Sequence, residues 1–246
     1  MISKLSIIFL ILLICGCASE TEQRAKNTIS KIPIKEELEP IKLPCALNES
    51  ICNAGLVNIQ HLNPNIRINL RYSGINNFLN QDLYGCLDSA YFQQETALML
   101  DSAQKKLTAV DSNLHLLIWD AVRPRNIQWR MWNALDMPLK QKAKYVSNPR
   151  NGSIHNYGCA VDLTICYTNR KLMDMGTDFD HFGRASNIKS EYLLVEEGIL
   201  TPQQLENRTI LRSIMKSVGF KTISSEWWHF NALTRSVARS KYAIVE

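Results

Sequence analysis

No two cysteines of this chain stand in CxxC spacing, no dense run of lysine and arginine occurs, and no internal repeat or low-complexity tract is present. The first absence argues against a cysteine-held zinc site. The second argues against a dedicated nucleic-acid binder, and the third against a solenoid or a fibrous protein. The apolar run near the start, Ile7 to Ile14, is too short to span a bilayer as a mature helix. The 246 residues, 46% of them hydrophobic, can bury a substantial core and fit one globular domain plus accessory segments.

The first sixteen residues read as a targeting signal: Lys4, the apolar run, then small Gly16 before Cys17. The stretch "ICGC", Ile14 to Cys17, resembles the lipobox of bacterial lipoproteins. That resemblance implies cleavage before Cys17 and acylation of this cysteine, so the mature protein is expected to be extracytoplasmic and lipid-anchored to a bacterial membrane. By the same resemblance, Ala18 after the acylated cysteine favours an outer over an inner membrane in a Gram-negative source. Loss of Lys4 takes the formal charge from +5 to +4. From Ala18 to Pro44 the chain is charged, lacks glycine and carries Pro33, Pro40 and Pro44, as an extended tether would. The expected division is a signal over 1–16, a tether over 17–48 and a folded domain over 49–246. Processing leaves Cys45, Cys52, Cys86, Cys159 and Cys166. Their odd number leaves at least one unpaired, and closeness along the chain makes Cys45 with Cys52 the simplest pair.

Within the domain, strand-like and helix-like segments alternate. Ile66, Ile68 and Leu70 alternate with polar residues as in a strand with one buried face, and "LHLLIW", Leu114 to Trp119, reads as a buried strand. Glu95 to Val110 carries Leu100, Ala103, Leu107 and Val110 at helical spacing, and a second helix is predicted over Arg125 to Leu135. "NPRNG", Asn148 to Gly152, is a turn. Thr201 and Pro202 form an N-cap and first helical residue, with a stripe of Leu211, Ile214, Met215 and Val218 and a stop at Gly219. A last strand is expected through "KTISSEWWHF". The mixture predicts an α+β single domain with a mainly antiparallel central sheet flanked by helices.

Two short stretches carry the chemistry. In "SIHNYGCAVD", Ser153 to Asp162, the residues Asn156, Tyr157 and Gly158 can reverse the chain between His155 and a strand ending "AVDLTI". An aspartate between Val161 and Leu163 is costly to bury unpaired, so a cation is wanted there. In "EWWH", His229 offers a third donor, and two imidazoles with one carboxylate suit a catalytic zinc with a position left for water. Glu226 could then act as general base and acid. On an ideal strand Glu226 and His229 point to opposite faces, so the segment must bend for both to reach one cavity. Arg123 in "WDAVRP" could stabilise an oxyanion, although an arginine after a strand is more often in a surface ion pair. His61, His115 and His181 read as structural or surface residues, and Trp227 and Trp228 as core or pocket wall. Spacing alone leaves a plain turn and a metal site both open.

These residues resemble the D-alanyl-D-alanine dipeptidases, zinc peptidases of the vancomycin-resistance type within the D,D-peptidases of family M15. Ser153, His155, Gly158, Ala160 and Asp162 match an SxHxxGxAxD motif, and Glu226 with His229 an ExxH motif. "RYSGINNF", "LLIWDAVRP" and "DMGTDFD" resemble the family's tyrosine, arginine and substrate-loop segments, so the likeness runs from about Arg71 to Ala232. It implies a Hedgehog/D,D-peptidase-like fold and one zinc ion per chain, held by His155, Asp162 and His229. It further implies Glu226 as catalytic acid and base, Arg123 as transition-state stabiliser, Asp180 with Tyr72 for the substrate's ammonium group, and Ser153 for its carboxylate. The expected substrate is the dipeptide D-alanyl-D-alanine. A D,D-carboxypeptidase acting on peptidoglycan stems and a non-catalytic wall-binding lipoprotein are the alternatives. Asn76 departs from the family, which is expected to have an aspartate there. The resistance enzymes act in the cytoplasm, so a lipoprotein of this kind is expected to serve turnover of wall-derived dipeptide instead.

Overall fold

The computed structural model describes residues 46–246, which fall within one compact unit. The expected signal, the acylated Cys17 and the tether up to Cys45 lie outside the described residues. Regular structure begins before the boundary expected at residue 49, because helix α1 (Ala46–Asn53) buries Leu47 and Ile51. Cys52 on this helix is a free thiol, as are Cys159 and Cys166, while Cys45, its expected partner, lies outside the described residues. Among the described residues no helix is long and apolar enough to cross a membrane.

After α1 come β1 (Val57–Asn58), α2 (Ile59–Leu62), β2 (Arg67–Ile68) and β3 (Tyr91–Phe92), with β1 and β3 forming a small antiparallel sheet. The long helix α3 (Gln94–Val110) leads into β4 (Leu114–Asp120), followed by α4 (Arg125–Ala134) and α5 (Leu139–Lys142). Then follow β5 (Ala160–Tyr167), α6 (Glu191–Glu196), α7 (Pro202–Ser217), β6 (Lys221–Thr222), β7 (His229–Asn231) and α8 (Arg235–Lys241). The main sheet has the order β2-β4-β5-β7-β6, with β2 parallel to β4 and the other pairings antiparallel.

Helix α3 lies on one face of this sheet through Leu100, Ala103 and Leu107, all fully buried, whereas Val110 at its end is 64% exposed and leaves the expected stripe. Strand β2 is short and pairs with β4 only at Leu117 and Ile118, which leaves earlier backbone groups of β4 without a sheet partner. The buried Gln104 of α3 supplies it: its amide donates to the Leu114 carbonyl at 3.1 Å and accepts from the Leu116 N–H at 2.7 Å. Helix α7 starts with the expected cap, the Thr201 side chain and Gln204 exchanging bonds with each other's backbone, and buries Leu211 and Met215.

The chain reversal expected between His155 and the following strand is made by a 3-10 turn, Ile154–Tyr157, capped at both ends. Asn156 and Ser153 bond to one another's backbone at its start, and Gly158 at φ 68° ends it. A β-carbon at Gly158 would lie 2.7 Å from Leu56 Cδ2 and 3.2 Å from the Gln93 nitrogen, so glycine serves both the left-handed backbone and the close approach of β3. One local expectation is corrected: the stretch 221–230 is not one strand. It forms β6 and β7, antiparallel neighbours joined by an irregular bend that contains Glu226.

Candidate metal centre and its pocket

The pairing of β4 with β5 runs regularly from Leu114 opposite Tyr167 to Ile118 opposite Leu163, then shifts by one residue so that Asp120 stands opposite Asp162. Without the shift Trp119 would take that place, because side chains alternate between faces with a period of two. Asp162 in turn stands opposite His229 of β7. The bulge therefore aligns Asp120, Asp162 and His229 in one row across three strands, and the 3-10 turn brings His155 over that row.

His155 Nε2, His229 Nδ1 and Asp162 Oδ1 converge, with separations of 3.2, 2.9 and 3.4 Å. Bonds of roughly 2.0–2.1 Å to a tetrahedral ion put its ligand atoms about 3.3 Å apart, so the spacing suits such an ion. The remaining ring nitrogens are engaged: His155 Nδ1 donates to the Ala121 carbonyl at 2.8 Å, and His229 Nε2 to Asn231 Oδ1 at 2.9 Å. These bonds set the tautomers and turn two lone pairs and a carboxylate oxygen toward one point. Three electron-rich atoms facing each other in a buried place favour positive charge between them, a shared proton or a metal ion. Burial disfavours the His229 imidazolium, yet its bond to Asp162 outweighs burial and raises its pKa to about 9 in the metal-free site. Burial would also raise Asp162, but His155 and His229 hold it well below the ordinary carboxylate range. The donor set of two imidazoles and a carboxylate fits zinc, and the sequence-derived trio is the one that the fold brings together.

Arg123 is buried beside this trio. Asp120 Oδ2 accepts from its Nε at 2.8 Å and from Nη2 at 2.5 Å, Gln128 Oε1 from Nη1 at 3.2 Å, and the Tyr72 ring lies 5.2 Å below. Nη2 is also 3.7 Å from Asp162 Oδ2. The side chain is thus a buried, fixed charge rather than one half of a surface ion pair. Burial opposes that charge, and Asp120 foremost overcomes it, raising the Arg123 pKa well above its usual value. Asp120 itself is fully buried and accepts from the Tyr84 hydroxyl at 2.5 Å.

The bend before β7 brings Glu226 Oε2 to 4.0 Å from His229 Nδ1, on the same side as the trio, as the three-residue spacing required. Burial pushes its carboxyl above the ordinary value against the pull of His229. Asp180 occupies a left-handed conformation at φ 56° and accepts from the Tyr72 hydroxyl at 3.0 and 3.2 Å. Burial, and then the charge of Asp162, push Asp180 well above the carboxylate range. Helix α7 secures the loop that carries it: Asn207 donates to the Asp174 carbonyl at 2.7 Å, and Arg208 to those of Met175 and Ala185 at 2.7 and 2.9 Å. Trp227 donates to Thr177 of the same loop at 2.7 Å, and both Trp227 and Trp228 are buried.

All eight candidate residues line one cavity of about 190 Å³: Tyr72, Arg123, Ser153, His155, Asp162, Asp180, Glu226 and His229. This is smaller than the roughly 300–1,000 Å³ of drug-sized ligand sites. His115 is apart from the cavity, bonded to the Asn65 carbonyl, and His181 bonds to Ser186. Sequence reasoning missed Asp120, Tyr84, Gln128 and Asn231. Asp120 ends a buried strand directly after the apolar run Leu116–Trp119, a signal of the kind that had drawn attention to Asp162.

The family model described as D-ala-D-ala dipeptidase matches residues 52–244. Three proteins named D-alanyl-D-alanine dipeptidase are similar over most of their length. That of Escherichia coli (strain K12) is 32% identical over 180 residues, 71% of this chain and 83% of the relative. Those of Enterococcus faecalis and Streptomyces coelicolor are 26% and 27% identical, covering 68% and 70% of this chain and 86% and 88% of theirs.

Proposed function

This chain belongs to the D-ala-D-ala dipeptidase family and is a peptidase, and from that premise we propose that it hydrolyses D-alanyl-D-alanine to two D-alanine molecules with one zinc ion. The observation that supports this most strongly is the meeting of three metal-donor atoms, an acid and a fixed guanidinium in one small cavity. His155, Asp162 and His229 would hold the ion. Bound there, zinc lowers the pKa of water toward neutrality and polarises the scissile carbonyl.

Every other role falls to the chain itself. Glu226 takes the proton of the attacking water and passes it to the leaving amine, a task suited to a carboxyl raised toward the working pH. Arg123, immobilised by Asp120 and Gln128, offers its guanidinium to the developing oxyanion without reorganising. Asp180 and Tyr72 receive the substrate's ammonium, whose positive charge favours the ionised form of Asp180. Ser153 contributes to the carboxylate end. A cavity of about 190 Å³ that offers an acid to the ammonium end favours a free dipeptide over a long stem peptide.

The protein is further proposed to act outside the cytoplasm, anchored through Cys17, on dipeptide released by wall turnover. The supporting observation is the lipobox-like "ICGC" followed by a proline-bearing tether.

The test is release of D-alanine from the dipeptide by purified protein, with loss of activity on chelation. Glu226→Ala should retain zinc and lose nearly all turnover. Undiminished turnover in that variant would falsify the mechanism. Preferential cleavage of a pentapeptide stem would favour a carboxypeptidase, and binding without turnover a wall-binding lipoprotein.

A further inference from the structure

Two arginines line the cavity, and they differ in their commitments. Arg123 is held by Asp120 and Gln128 and faces Asp162. Arg235, at the start of α8, lines the same cavity together with Ser153 and Asn231, is exposed, and has no acid partner among the described residues. Its placement follows from packing. Ala238 on α8 is fully buried in a small cluster with Tyr157 and Cys159, against which Ile154 also packs. Arg235 precedes Ala238 by three residues and therefore shares its face of the helix, which sets the arginine toward the start of the 3-10 turn. Ser153 caps that start.

A dipeptide at neutral pH carries an ammonium and a carboxylate. The acids of the cavity, Asp180 and Glu226, answer only the first of these charges. We propose that Arg235 pairs with the terminal carboxylate of the substrate beside Ser153 and so selects peptides that end at the residue after the cleaved bond. This rests on the proposed dipeptidase function and adds to it a residue outside both sequence motifs. An arginine presents paired donors that match a carboxylate's two oxygens, whereas the serine hydroxyl offers one.

The experiment uses zinc-loaded Glu226→Gln protein, in which bound substrate stays intact. Calorimetric affinities for D-alanyl-D-alanine and for its C-terminal amide are compared with and without Arg235→Ala. The expected result is a loss of roughly 5- to 30-fold for the free dipeptide, as for a partly exposed charged bond, with the amide unchanged and Arg235→Lys intermediate. Equal loss for both ligands, no loss for either, or no binding of the dipeptide to Glu226→Gln overturns the proposal. Turnover by the wild-type protein is measured separately. If the carboxylate-dependent loss is found while the wild type turns over nothing, the dipeptidase function fails and the carboxylate site stands.

Discussion

Removing Asp120 should damage both stability and catalysis, and the two effects can be separated. Its carboxylate is fully buried, binds Arg123 through two bonds of 2.5 and 2.8 Å, and accepts from Tyr84. Asp120→Ala leaves a buried guanidinium without its hydrogen-bonded counter-charge, Asp162 remaining at 3.7 Å, a change that costs about 3–5 kcal/mol. In a domain of this size each kcal/mol lowers Tm by about 2–4 °C, so a fall of roughly 6–20 °C is expected in a calorimetric scan of zinc-loaded protein. The same variant should lose most of its kcat, because Arg123 is no longer immobilised. The triple variant Tyr84→Phe, Asp120→Leu, Arg123→Met removes the charges and the orphaned hydroxyl together. It should recover much of the lost Tm, since an apolar replacement of a buried pair is often neutral, while activity stays lost. If Asp120→Ala melts within about 2 °C of wild type, a gap too small for an unpaired buried charge, the reasoning fails.

Two further outcomes follow from the hydrogen bonds around the trio. Asn231→Ala removes the acceptor that holds the His229 tautomer, so zinc affinity measured by chelator competition should fall about 10- to 100-fold. In chelated protein, His229 has a folded pKa of about 9 against an ordinary 6.5. Its bound proton therefore stabilises the fold fully below about 6.5, and this contribution is lost as pH rises through 9. Urea midpoints of chelated protein should fall between pH 6.5 and 9.5, and His229→Gln should flatten that fall. A slope unchanged by the substitution would show that another group is responsible.

Much of the site was legible because its donors lie in two short stretches whose residue types have a chemical use together. His155, Asp162, Glu226 and His229 could be named from spacing and chemistry, and α3, α4 and α7 were legible from helical period and caps. The stretch 221–230 was misread because alternation and β-branched residues do not report where pairing stops. The β6 and β7 segments that pair there are only two and three residues long.

What the sequence determined by itself is local: helix periods, the Thr201 cap, the glycine at 158, and the kinds of atoms available to a metal and a proton. The tertiary structure alone decided which of them meet. The one-residue shift at the end of β4 sets Asp120 rather than Trp119 opposite Asp162, and a register shift has no signature in either strand read separately. Likewise, Asn231 bonds to His229 two residues away on its own strand, and Arg235 lines the cavity from a helix whose Ala238 packs against Tyr157 and Cys159. Burial and register join residues far apart in the chain, and that joining turns a pair of motifs into a site.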